Sequence, residues 1–157
     1  MLGRPKRILW PTDFSELSLR AGRYAHGLSQ LFASEMHILH VVPPPLNPDV
    51  AVLLPSDVPI PVSEPELRAA SFRAIRDLID KKFSGFPNAI AEVRFGNPWT
   101  VVCDYAKEKH VELIVIATHG RTGLGHALIG STAERIVQHA MCPVLTVKAS
   151  EQGFLQE

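Results

Sequence analysis

An excess of charge of either sign is missing: 16 Lys and Arg stand against 16 Asp and Glu in 157 residues. That balance leaves no global field to gather nucleic acid or an anionic membrane surface, so non-specific DNA binding is not expected. No apolar run approaches the ~20 residues that a membrane helix needs, and the opening MLGRPKR lacks the apolar centre of a secretory signal. A soluble, cytoplasmic protein is the expectation. Cysteine is scarce as well, with Cys103 and Cys142 alone. Two thiols do not make a disulfide framework, and both read as inert structural residues. No internal repeat is visible, and the length suits one domain with a single substantial core, placed over residues 1–150 with a short tail at 151–157.

What is present is an alternation of strand and helix. Residues 6–10 form a short apolar strand ended by Pro11, and Leu17, Ala21, Tyr24, Ala25, Leu28 and Phe32 then recur at helical spacing. Asp13, between the two, has capping-box spacing to Glu16 and also sits where open parallel sheets place ligand contacts. Residues 36–42 form the second strand. His37 and His40 within it point to opposite faces and so cannot hold one metal ion together. A second helix over 66–83 carries Phe72, Ile75, Ile79 and Phe83 on one face, and Gly85 and Pro87 end it. Ala89–Phe95 is the third strand, Asn97 and Pro98 open a helix to about residue 109, and residues 112–117 and Val144–Val147 supply the last two strands. Alternation of this kind predicts an α/β fold, a five-stranded parallel sheet with helices on both faces and right-handed crossovers.

Eight of the 13 prolines fall within residues 43–65. Each removes a backbone donor and restricts its predecessor, so this is a long loop: a lid, a binding surface or a disordered connection. The apolar stretch at 50–54 suits a cover over a site or a partner.

Phosphate-type chemistry is confined to residues 113–146. A buried apolar strand runs into a loop with Gly120, Gly123, Gly125 and Gly130, and a helix begins at once, with Ser131 and Glu134 spaced as a capping box. A helix amino terminus offers unpaired N–H groups, and glycines let an anion approach the backbone, so an anion cradle is the expectation for this segment. Two familiar phosphate loops fail here. Gly125 to Thr132 has the glycine spacing of a Walker A loop, but Ser131 stands in the place of its lysine. Gly123 and Gly125 begin a dinucleotide fingerprint whose third glycine is Leu128. Residues 118–132 contain no carboxylate and no lysine, so fast phosphoryl transfer is not expected.

The remaining pattern, Ala117-x2-Gly120-x9-Gly130-Ser131, together with ILWPTDFSELS, HILHVV and CPVLTVK, resembles the universal stress protein family. Its nucleotide-binding members carry Gly-x2-Gly-x9-Gly-Ser/Thr after the fourth strand; Ala117 replaces the first glycine and cannot take a positive φ at low cost. The resemblance spans nearly the whole chain and implies a Rossmann-like sheet of order 3-2-1-4-5, related in architecture to adenine nucleotide alpha hydrolases. It implies an ATP site, with ADP or AMP as alternatives and Mg²⁺ held through the phosphates. Pro11, Thr12, Asp13 and Val41 would face the nucleoside, and Ala117, His119, Gly120, Arg121, Gly130, Ser131 and Thr132 would face the phosphates. From the residues alone, Val41 also reads as a core valine, Arg121 as a solvated loop residue and Ser131 as a helix cap. The functional expectation is a nucleotide-regulated stress-response or signalling module with slow or no hydrolysis, paired as a homodimer through the Val144–Val147 edge and acting on an unnamed protein partner. The alternative is a dimeric interaction protein that binds no nucleotide. An adenylating enzyme of related architecture is excluded by the absence of His-x-Gly-His and Ser-Gly-Gly-x-Asp-Ser.

Overall fold

A computed structural model describes residues 3–44, 63–83, 89–118 and 130–148. His119, Gly120, Arg121, Gly123, Gly125, His126, the stretch 45–62 of the proline-rich loop, the helix stop at Gly85 and Pro87, and the 151–157 tail lie outside the described residues.

The described elements run β1 (Arg7–Pro11), α1 (Glu16–Phe32), β2 (Glu35–Val42), α2 (Glu64–Lys82), β3 (Ala89–Phe95), α3 (Pro98–Glu108), β4 (Leu113–Ala117), α4 (Ser131–His139) and β5 (Val144–Val147). Every strand pairing is parallel and the order is β3-β2-β1-β4-β5. Period-two alternation sorts the strand side chains between two layers. Ile8, Trp10, Met36, Ile38, Val93, Val115 and Val147 face α1 and α2, where Ala21, Tyr24, Ala25 and Ile75 meet them. Leu9, Leu39, Ile114 and Ile116 face α3 and α4, meeting Val102, Tyr105, Ala106, Ala133 and Ile136. Burial on both faces explains why β1 and β4 read as unbroken apolar runs. Each fully buried side chain of this size stabilises the fold by roughly 1.5–3 kcal/mol relative to exposure.

Several element ends differ from the sequence expectation, each for a local reason. Pro11 belongs to β1 instead of ending it, because the hydrogen bond to β2 at this point is donated by the next residue, Thr12 N to Leu39 O at 2.9 Å. Asp13 does not cap α1. Ser15 does, its hydroxyl accepting from Ser18 N at 3.2 Å, while Asp13 Oδ1 accepts from Ser15 N at 3.0 Å in an Asx turn one step earlier. Helix α2 starts at Glu64, not residue 66, because Ser63 is its N-cap, with the Glu66 carboxylate accepting from Ser63 N at 3.1 Å and Oγ at 2.7 Å. Those bonds hold the Glu66 carboxyl below the usual carboxylate range. Gly130, not Ser131, is the N-cap of α4; Ser131 is the first helical residue, and the N-cap glycine has no side chain with which to cap the helix.

Candidate functional site

In an open parallel sheet the strand order reverses where the crossovers diverge, and the loops leaving the carboxyl ends of the two central strands part there to open a crevice. β1 and β4 are those neighbours. Pro11, Thr12 and Asp13 leave β1, and Ala117 and Thr118 leave β4, at this end of the sheet, with Val41 near the end of β2. The sheet thus gathers the β1 exit, the β4 exit and the start of α4 from opposite halves of the chain. Gly130 N donates to Thr118 O at 2.6 Å, and Thr118 N to Val147 O at 2.9 Å, so the two ends of the 119–129 segment meet at the rim of the crevice.

The β1 exit is held from several sides. Thr12 is buried, and its hydroxyl accepts from Phe14 N at 3.1 Å and from the Ser18 hydroxyl at 2.8 Å. Phe14 sits at φ 64°, a left-handed conformation costly for a bulky side chain, which these bonds over-determine. The indole of Trp10 donates to Ser18 O at 3.0 Å, tying the first turn of α1 to the core beneath. Asp13 is half-buried at the turn.

On the β4 side, Ala117 is buried, pairs with Val147 and has no positive φ. The backbone there is ordinary strand, which alanine adopts as readily as other residues. Gly130, at φ -69° and ψ 152°, likewise needs no glycine for its conformation. What glycine supplies there is the absence of a side chain. Ser131 and Thr132 are exposed in the first turn of α4, whose N-cap, Gly130, has no side chain to satisfy the leading backbone N–H groups. Val41 packs against the α3 layer of the core as well as lying near the crevice.

Sequence reasoning singled out Asp13 at this exit and missed Phe14, Ser15 and Ser18. Ser15 directly precedes the first helical residues and competes equally with Asp13 as a cap. Spacing does not decide between them, whereas the backbone does.

The opposite, amino end of the sheet holds a separate polar cluster. His37 is buried, with Nδ1 2.7 Å from the Tyr105 hydroxyl and Nε2 2.8 Å from Glu35. His40 lies on the other face, as a three-residue strand spacing requires, and no group of three metal-ligating side chains occurs among the described residues. Burial pushes the Tyr105 phenol up to about 12. Arg94 binds Glu108 with two hydrogen bonds, 2.6 and 3.1 Å, and these, with Lys109, bring the Glu108 carboxyl down to about 2. Two hollows, of about 620 and 340 Å³, lie at this end. Neither includes a residue of the crevice. The two thiols are free and half-buried, and burial raises both above the ordinary thiol value. That favours the unreactive protonated form. No described helix is long and apolar enough to cross a membrane.

Comparison with known proteins agrees with this architecture. The family model described as the universal stress protein family matches residues 5–148. The Universal stress protein MJ0531 of Methanocaldococcus jannaschii is 32% identical over 143 residues, which cover 91% of this chain and 82% of the relative. Among solved structures, universal stress protein UspA from Lactobacillus plantarum superposes with a TM-score of 0.73 at 26% identity, covering 93% of this chain and 99% of that one. A universal stress protein solved in complex with cAMP has the same fold, with a TM-score of 0.71 at 19% identity over 94% of this chain and all of that one. With a family model spanning nearly its whole length and a parallel sheet of the same order, this chain belongs to the universal stress protein family.

Proposed function

We propose that this chain binds an adenine nucleotide, ATP in the first instance, in the crevice between the β1 and β4 exits, and acts as a nucleotide-regulated stress-response module in the cytoplasm. The observation that carries the reading is the convergence at the switch point: the Asp13 segment at the β1 exit, and at the β4 exit the amino terminus of α4 with a side-chain-free Gly130 as its N-cap. Pro11, Thr12, Asp13 and Val41 form the nucleoside side. The Thr12 hydroxyl oxygen already accepts two internal hydrogen bonds, which leaves its O–H proton to donate. Ala117, Gly130, Ser131 and Thr132 form the phosphate side, joined by His119, Gly120 and Arg121 from the segment outside the described residues. Mg²⁺ would be held through the phosphates, because residues 118–132 offer no carboxylate. The same lack makes hydrolysis slow or absent. A protein of this fold solved with cAMP supports the choice of an adenine nucleotide.

The alternative, that no nucleotide binds, rests on Ala117, whose strand backbone makes no demand for glycine. Two copies pair through β5, which lies at the sheet edge with Leu145 exposed and with Val137 and Met141 exposed nearby in the chain.

The test is release of nucleotide from the freshly purified, denatured protein on an anion-exchange column, followed by titration calorimetry with ATP and Mg²⁺. Gly130→Val keeps a backbone conformation open to valine but puts a branched side chain where the phosphates approach, so affinity should fall at least tenfold with the fold and dimer intact. Unchanged affinity would refute the cradle.

A further inference from the structure

The β1–β2 register stops at Pro11 and Leu39. Beyond it, Thr12 N still donates to Leu39 O at 2.9 Å, but the Thr12 carbonyl takes its hydrogen bond from a side chain, His40 Nδ1 at 2.8 Å. A carbonyl has no hydrogen to give, so the imidazole carries its proton on Nδ1. Both polar groups of the Thr12 backbone are therefore drawn towards β2. No peptide bond among the described residues is cis, so the N–H of the Thr12–Asp13 peptide points away from its carbonyl and from His40. The His40 ring also lies against Phe14, centroids 4.5 Å apart, and so braces the residue held at positive φ.

We propose that His40 is a positioning residue for the nucleotide site, its Nδ1–H fixing the plane of the Thr12–Asp13 peptide so that Asp13 is presented to the crevice. This rests on the nucleotide reading above and adds a residue to it that lies outside the binding segment itself. A ladder bond cannot be removed without unpairing a strand. A side-chain bond can, which makes the claim separable from the fold.

Two substitutions distinguish the donor from the bulk. His40→Leu keeps an apolar contact with Phe14 and loses the donor. His40→Asn loses the ring but places an amide N–H close to the position of Nδ1. Titrated with ATP and Mg²⁺, His40→Leu should bind about tenfold more weakly, the factor carried by one ordinary hydrogen bond, and His40→Asn should recover to within about threefold of the parent. Equal affinity of His40→Leu and the parent would overturn the proposal, and so would an asparagine variant as weak as the leucine one, since bulk and not the donor would then matter. If the parent protein itself binds no nucleotide, the functional reading fails, and the positioning claim is decided without ligand by amide hydrogen exchange. The Asp13 and Phe14 amides should exchange faster in His40→Leu and return towards the parent rate in His40→Asn. Unaltered exchange in the leucine variant would refute it.

Discussion

Helix α1 contains two glycines that demand opposite outcomes from the same substitution. A Cβ on Gly22 would stand 2.5, 2.7 and 2.8 Å from three ring atoms of Trp10, well inside van der Waals contact. That ring cannot swing aside freely: it is fully buried, its indole N–H is bonded to Ser18 O, and Phe83 packs on it edge-on at 5.6 Å. Gly22→Ala must therefore push α1 off the sheet by several tenths of an ångström or displace the ring. Overpacking of this kind costs ~1–3 kcal/mol, against a gain of about 1 kcal/mol from replacing a helical glycine. The net effect is a destabilisation of up to about 2 kcal/mol, or up to roughly 8 °C in Tm for a domain of this size. Gly27, in the same helix, has nothing within 4 Å of its would-be Cβ. Gly27→Ala should stabilise by about 0.5–1 kcal/mol. The assay is urea and thermal denaturation of both variants at one protein concentration, since any dimerisation makes stability depend on it. A Gly22→Ala protein as stable as Gly27→Ala would refute the argument that α1 is held at glycine distance from Trp10.

Tyr105 is neutral and buried in the fold with its ionisation pushed up to about 12, so a folded molecule keeps a proton that the unfolded chain releases from about pH 10. Stability should fall between pH 10 and 12, and Tyr105→Phe should flatten that limb in pH-dependent denaturation while losing the bond to His37. Glu108 behaves in the opposite sense: its carboxyl, brought down to about 2 by Arg94 and Lys109, contributes above the ordinary carboxylate range and loses that contribution as pH falls through about 2. Glu108→Gln should therefore lie below the parent near neutrality and converge with it in strong acid, and a constant offset down to pH 2 would refute this. The pairing proposed through β5 predicts that Leu145→Asp, placing a charge on the edge strand, yields monomers in sedimentation velocity without loss of helix content.

The sequence by itself determined the sheet. The apolar runs within residues 6–10 and at Leu113–Ala117, too short for helices and bounded by turn residues, are read from pattern alone because burial on both faces leaves few polar positions in a strand. The segments of the crevice were also legible, since glycines and small hydroxyl residues after a buried strand have few other uses. Strand order was not read from spacing; it came from resemblance, because pairing joins residues far apart in the chain. Nor did local pattern decide which of several adjacent polar residues does what. Asp13 and Ser15 are equally good caps by type, Ser131 is a better one than Gly130, and the choice falls to whichever backbone the sheet delivers at the right angle. The same holds for His40, a histidine in an apolar strand by sequence and a brace for the Asp13 turn once β1 and β2 are paired. Composition and periodicity record which face a residue must hide, whereas hydrogen bonds between β1, β2 and α1 record where the chain has been brought, and only the folded sheet brings it there.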